Sequence, residues 1–128
     1  MISAETHPDP AALIQAQLDA YNAHDIDAFV ACYAEDVRAA VWPSDATRLQ
    51  GRIAFAGYYR LHRFNRPNLH AELVNRIVFG HVVIDHEIIT GLDQLTVEVV
   101  AMYQIKDGLI ASVHFVEYEP DIGFALEP

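Results

Sequence analysis

Three ionisable residues lie together in an otherwise apolar stretch, residues 81–90, which reads HVVIDHEIIT. The valines, isoleucines and threonine favour a β-strand, and side chains along a strand alternate between its two faces. Asp85 and Glu87 are therefore predicted to point to one side and His86 to the other. Two carboxyls about 7 Å apart in a dry pocket become an acid and a base side by side, because repulsion and desolvation raise one pKa. This chemistry suits isomerisation, dehydration or cyclisation of an enolisable substrate, and Asp85, His86 and Glu87 are the predicted catalytic residues.

The same three side chains also fit a structural role. Polar groups inside apolar strands are often paired and unreactive, and Arg60, Arg63 and Arg76 supply positive charge. A buried pair between one of these arginines and a carboxylate would be inert. A register slip of one residue would also exchange the roles of Asp85 and His86, so both interpretations remain open.

A second group of residues is predicted to line a pocket for a small molecule. Aromatic rings suit a flat apolar ligand, and a strand histidine beside a tyrosine or carboxylate suits proton transfer near neutral pH. Aromatic rings on helices that face a sheet also form ordinary core, which is the alternative interpretation. The predicted pocket-lining residues are Gln17, Tyr21, Trp42, Phe55, Tyr58, Tyr103 and His114.

The seven histidines and the single cysteine show no metal-ligand spacing. His62 and His70 are separated by a proline, and His81 and His86 point to opposite faces of their strand. Cys32 is expected to be a small buried side chain. We expect no metal and no cofactor.

Composition excludes several classes of partner. The 128 residues, 52% of them hydrophobic, fit one compact domain, and 8 basic against 18 acidic residues give a formal charge of -10. Such a negative surface repels phosphate backbones, so nucleic acid is not an expected partner. No apolar run approaches the roughly 18 residues of a membrane span, and the polar start, MISAETHPDP, lacks the basic residues of a signal peptide. We expect a cytoplasmic protein that does not enter the membrane.

Helices are predicted in the first half of the chain. Residues 1–10 form an arm, and apolar residues from Leu13 to Tyr21 then recur at spacings of three and four, which is typical of a helix. Asp25 is predicted to cap a second, shorter helix. Gly51 opens a third helix, which ends before Pro67.

Strands dominate the second half. The predicted strands 69–79, 82–90, 95–105 and 109–118 are joined by short connections containing glycine, which are typical of antiparallel hairpins. A further short strand, 37–42, ends at Pro43, and a polar loop follows over 44–50. Long strands in one meander must curl. The sequence therefore predicts an α+β fold, in which a curled antiparallel sheet forms a cone around three N-terminal helices.

This order of elements resembles the nuclear transport factor 2-like superfamily, and specifically its SnoaL-like branch. The resemblance lies in the segments YNAHDID (21–27), YAEDV (33–37), GR (51–52) and KDGLI (106–110), and it covers about residues 10–118. It implies a domain over residues 11–119, a homodimer formed through the outer face of the sheet, and a hydrophobic pocket between sheet and helices. In the tail, 120–128, Phe124 and Leu126 are expected to dock on the dimer partner.

No single reaction follows from the resemblance, because the superfamily includes ketosteroid isomerases, polyketide cyclases, dehydratases, epoxide hydrolases and binding modules. The resemblance also argues against the usual isomerase residues. The tyrosine donor of the isomerases falls on Gln17, their catalytic aspartate on Val41 or Trp42, and their second acid near Ala101. Isomerase activity by that set of residues is not expected.

Two functions remain after this comparison. In the first, the protein binds a small apolar or aromatic molecule in the cone and catalyses a cofactor-independent acid/base reaction. In the second, it is a non-catalytic dimeric binding or interaction module, with its strand carboxyls paired structurally. The two differ in whether those carboxyls open on a cavity.

Overall fold

The structure, a computed structural model, describes residues 9–117. The expected arm before Asp9 and the expected tail with Phe124 and Leu126 lie outside the described residues. In chain order the elements are α1 (Pro10–Asn22), α2 (Ile26–Val30), β1 (Tyr33–Val41), β2 (Leu49–Gln50), α3 (Arg52–His62), β3 (His70–Phe79), β4 (Val82–Leu92), β5 (Leu95–Lys106) and β6 (Leu109–Glu117).

The helix starts follow from local hydrogen bonding. Asp9 caps α1, and its Oδ1 accepts hydrogen bonds from the backbone N–H groups of Ala11 (2.9 Å) and Ala12 (3.4 Å). Asp25 caps α2 as predicted, since its Oδ1 accepts from the N–H of Ala28 at 3.1 Å. None of the helices in the described range is long and apolar enough to cross a membrane.

The strands form one sheet in the order β2-β1-β6-β5-β4-β3. The predicted antiparallel meander, β3 to β6, is confirmed. β1 is longer than the predicted strand 37–42 and joins the sheet parallel to β6. β2 lies within the predicted loop and pairs with β1 through only two residue pairs. The sheet curls around the helices without closing, and the predicted α+β cone is confirmed.

Aromatic side chains fill most of the space between helices and sheet. Neighbouring ring centroids in this cluster lie between 4.5 Å and 6.5 Å apart, the range in which tilted and edge-on pairs add about 0.5–1.5 kcal/mol each beyond burial. The cluster consists of Tyr21, Phe29, Tyr33, Phe55, Tyr59 and Phe64. It ties all three helices to the inner face of the sheet.

Polar contacts fix the helix pair against the start of β3. The side chain of Asn22 donates to the carbonyl of Ala71 (3.0 Å) and accepts from its N–H (2.8 Å). A ring nitrogen of His24 lies 2.8 Å from the carbonyl of Leu69. The end of β4 packs closely against the residues just before β3. A Cβ added to Gly91 would lie 2.1 Å from the carbonyl oxygen of Asn68.

Two glycine substitutions should change stability in opposite directions. Gly91→Ala should lower the free energy of unfolding by at least about 2 kcal/mol, since the added Cβ meets backbone and φ is +84°. Gly57→Ala, inside α3 with nothing within 4 Å of the added Cβ, should raise it by about 0.5–1 kcal/mol. Urea unfolding of both variants measures the difference, and equal effects would contradict the close approach at Gly91.

Candidate functional site

The inner face of β4 carries two carboxyl groups. Burial alternates along this strand, so that Val83, Asp85, Glu87 and Ile89 face the interior. Asp85 is 0% exposed and Glu87 is 6% exposed. Since the helices cover this face, both acids lie inside the cone.

Asp85 is held by a two-pronged ion pair with Arg76 of β3. Nε of Arg76 lies 2.7 Å from Oδ1 of Asp85, and Nη2 lies 2.9 Å from Oδ2. The remaining Nη1 donates to Oε1 of Gln15 in α1 at 2.9 Å. Fork-shaped pairs of this kind are strong and directional. Both oxygens of Asp85 are thus occupied, and this carboxylate is not free to meet a ligand.

A β-bulge at Val74 turns Arg76 inward. Leu73 pairs with Glu87, but the next pair is Asn75 with His86, so Val74 is an extra residue on β3. If Val74 instead paired regularly with His86, alternation would place Arg76 opposite Ile84 on the outer face. The bulge therefore creates the ion pair.

Glu87 has one oxygen, Oε2, without a hydrogen-bond partner. Burial, and after it the negative charge of Asp85, raises the pKa of Glu87 to about 7 against the opposing effect of Arg76. A hydrogen bond between the two carboxyls acts in the same direction as burial. Near neutral pH this carboxyl is therefore present in both its acidic and its basic form.

Glu87 opens on a small cavity between the helices and the sheet. The cavity volume is about 20 Å³, which is roughly enough for one water molecule. The hydroxyl of Tyr21 is also buried; burial raises its pKa, and the nearby guanidinium of Arg63 acts in the opposite direction. The lining residues are Gln17, Leu18, Tyr21, Phe29, Tyr59, Ala71, Glu87, Ile89, Val99, Tyr103 and Phe115.

Gln17 is fixed in this lining by two hydrogen bonds. Its amide donates to the carbonyl of Ile14 at 3.3 Å and accepts from the hydroxyl of Tyr33 at 3.0 Å. Of the seven expected pocket residues, Gln17, Tyr21 and Tyr103 line the cavity.

The other expected pocket residues lie elsewhere. Phe55 is fully buried inside the aromatic cluster, and Tyr58 is half-buried with its ring against His62 and under the guanidinium of Arg63. Trp42 is 55% exposed and precedes the cis bond to Pro43. None of these three side chains lines the cavity.

His86 and His114 both lie on the outer face of the sheet. Nε2 of His86 is 2.6 Å from Oε2 of Glu98 on β5. His114 was expected in the pocket, but its neighbours Val113 and Phe115 take the buried positions of β6, and its Nε2 is 2.7 Å from Oδ1 of Asp45. Neither ring reaches the carboxyls of β4, because alternation separates the two faces.

Several lining residues were missed from the sequence, although one signal could have found some of them. Val99 and Tyr103 are four residues apart on β5 and therefore lie on the same face. The prediction that Tyr103 lines the pocket thus extends to Val99. No group of His, Cys, Asp and Glu within residues 9–117 has a geometry that suits a metal ion.

The raised pKa of Glu87 makes stability depend on pH in a defined direction. An unfolded glutamate titrates near pH 4.3, whereas folded Glu87 keeps its proton to about pH 7. Between these values the unfolded chain binds fewer protons, so wild-type stability falls as pH rises. Glu87→Gln should therefore gain about 2–3 kcal/mol relative to wild type between about pH 5 and pH 8.

Urea unfolding at both pH values measures this change. Glu72→Gln, at an exposed position of β3, is the matched control, because it removes no buried carboxyl. If the Glu87→Gln and wild-type proteins kept the same difference at both pH values, Glu87 would not hold its proton in the folded state.

The chain matches the profile of the SnoaL-like domain over residues 14–113. None of the curated proteins matches it significantly. Solved structures with the same fold include an uncharacterised cystatin-fold protein from Novosphingobium aromaticivorans, which is 23% identical with a TM-score of 0.76 and covers 84% of this chain and 97% of its own.

Two further structures are described by their ligands or reactions. A proposed ketosteroid isomerase from Kribbella flavida is 22% identical with a TM-score of 0.72, over 91% of this chain and 79% of its own. A computationally designed 17-OHP binder is 17% identical with a TM-score of 0.72, over 86% of this chain and 92% of its own. These likenesses establish the nuclear transport factor 2-like fold, and the profile match shows that the chain belongs to the SnoaL-like domain family.

Proposed function

We propose that the protein binds a small, mostly apolar molecule inside the cone and that Glu87 transfers a proton in a cofactor-independent isomerisation, cyclisation or dehydration. The observation that carries this proposal is the buried carboxyl of Glu87, with an oxygen that has no partner and a pKa of about 7. A general acid or base is most effective when its pKa lies near the working pH.

A purely structural role accounts poorly for Glu87. A buried polar group without a partner costs about 1–3 kcal/mol, and an apolar side chain at this position would avoid that cost. Asp85, by contrast, is fully paired with Arg76. Among the three predicted catalytic residues, the proposal therefore assigns proton transfer to Glu87, an electrostatic role to Asp85 and no direct role to His86.

The lining indicates the character of the ligand. Leu18, Phe29, Ile89, Val99 and Phe115 form apolar walls, which favour an apolar or aromatic molecule. Because the volume is only about 20 Å³, a ligand larger than a water molecule must displace lining side chains. The designed 17-OHP binder supports the proposal, since it is a ligand-binding protein with a similar fold.

The second candidate function is a non-catalytic dimeric module. It is favoured by the small cavity and by apolar side chains on the outer face of the sheet, where Ile77 is 54% exposed and Phe79 is 80% exposed. Ile84 and Met102 are register neighbours in the same row as Ile77 and are half-buried. We propose that a second copy covers this outer face, which is compatible with either function.

Hydrogen–deuterium exchange tests the catalytic proposal without a known substrate. Neutral cyclic ketones in D₂O should lose their α-proton NMR signals faster with wild-type protein than in buffer. Glu87→Gln should slow this exchange at least about 100-fold, because it removes the general base. Glu98→Gln, on the outer face, should exchange at the wild-type rate. Undiminished exchange by Glu87→Gln would overturn the assignment and favour the non-catalytic module.

Sedimentation tests the proposed dimer. Wild-type protein at micromolar concentration should sediment at twice the 14.3 kDa chain mass. Ile84→Asp places a charge in the outer face and should give monomer, since an unpaired charge is strongly disfavoured in an interface. Ile53→Asp changes a side chain on α3 that is 90% exposed and should leave the dimer intact. A monomeric wild-type protein would contradict the dimer.

A further inference from the structure

We propose that Arg76 and Asp85 are positioning residues that together set the charge state of Glu87, so that the cone selects an uncharged ligand. This inference rests on the proposed function of Glu87, but the protonation it describes can be measured without any ligand.

The bulge in β3 and the side chain of Gln15 fix the position of the ion pair. The bulge at Val74 brings Arg76 opposite Asp85. Gln15 accepts from Nη1 of Arg76 at 2.9 Å, and its own amide donates to Oδ1 of Asp19 at 2.9 Å. The guanidinium therefore has a fixed orientation, and its fork holds both oxygens of Asp85.

This arrangement decides which carboxyl carries the proton. The guanidinium is paired with the carboxylate of Asp85, and that negative charge disfavours a second one on Glu87, two residues along the same face. With Arg76 positive, Asp85 negative and Glu87 protonated, the charges of this group sum to zero.

The other groups around Glu87 do not change that balance. Tyrosines face it from α1 (Tyr21), β1 (Tyr33), α3 (Tyr59) and β5 (Tyr103), and burial raises the pKa of each, so all four stay neutral. The guanidinium of Arg63 lies beyond them, beside Tyr21.

The charge state of this group bears directly on ligand choice. An anionic ligand would meet the negative charge of Asp85 across a low-dielectric space, and a cationic ligand would find no ionised partner while Glu87 keeps its proton. An uncharged molecule with a hydrogen-bond acceptor meets neither penalty, and it can accept the proton of Glu87.

Opposite shifts in the titration of Glu87 distinguish positioning from a structural ion pair. Arg76→Met removes the positive charge, so the two carboxyls should hold their shared proton to higher pH. Asp85→Asn removes the negative charge and leaves Arg76, so Glu87 should lose its proton at lower pH. A pair that only supported the fold would not move the midpoint in opposite directions.

Carboxyl ¹³C NMR of protein labelled at glutamate Cδ follows the midpoint directly. We expect shifts of at least about one pH unit upward for Arg76→Met and downward for Asp85→Asn. Glu98→Gln, on the outer face, should leave the midpoint in place. Arg76→Lys keeps the charge without the fork and should shift the midpoint less than Arg76→Met; it serves as the test if the methionine variant does not fold. Equal or same-direction shifts would overturn the proposal.

Ligand charge is tested with three compounds of similar shape. Cyclohexanone should bind wild-type protein at least about tenfold more tightly than cyclohexanecarboxylate or cyclohexylammonium, and Asp85→Asn should weaken the discrimination against the carboxylate. Stronger binding of either ion would overturn the selection of uncharged ligands. Opposite midpoint shifts together with undiminished ketone exchange by Glu87→Gln would uphold the positioning role and refute only the catalytic function.

Discussion

The ion pair between Arg76 and Asp85 is the interaction on which the interior of the cone depends. A carboxylate with 0% exposure among aromatic and aliphatic side chains costs several kcal/mol unless a partner compensates its charge. The partner comes from β3, the edge strand, and is itself held by Gln15 of α1. One charge thus joins an edge strand, an inner strand and a helix, and the state of Glu87 follows from it.

Much of this arrangement could be predicted from the sequence, because it follows from local rules. Alternation along residues 81–90 is enough to separate Asp85 and Glu87 from His86, and the short glycine connections predict the hairpins. The bulge could not be predicted, since it depends on how β3 and β4 pair. Unless the bulge is known, the sequence does not show which of Arg60, Arg63 and Arg76 pairs with Asp85. Trp42 and His114 were misplaced for a similar reason: long-range packing decides which side of β1 and β6 faces the helices.

Family membership describes the scaffold of this protein better than its chemistry. Gln17, Val41 or Trp42, and Ala101 stand where the resemblance would place the polar groups of ketosteroid isomerases. Asp85 is the register partner of Ala101, so a carboxylate occupies the neighbouring strand at the same level of the cone. A fold can therefore keep an acid at one depth while the strand that supplies it changes, which is why a shared fold alone does not assign a reaction.

The bulge at Val74 gives β3 an unusual relation to insertion and deletion. The Val74 side chain is 48% exposed, so many residues can stand at this position with little effect on the core. The bulge takes this residue out of the alternation, so Leu73 and Arg76 pair with Glu87 and Asp85 on the same inner face although they are three residues apart. Loss of the Val74 codon would leave a regular ladder, in which Asn75 still pairs with His86 and Arg76 still pairs with Asp85. During evolution this segment can therefore lose its one extra residue and still keep the ion pair.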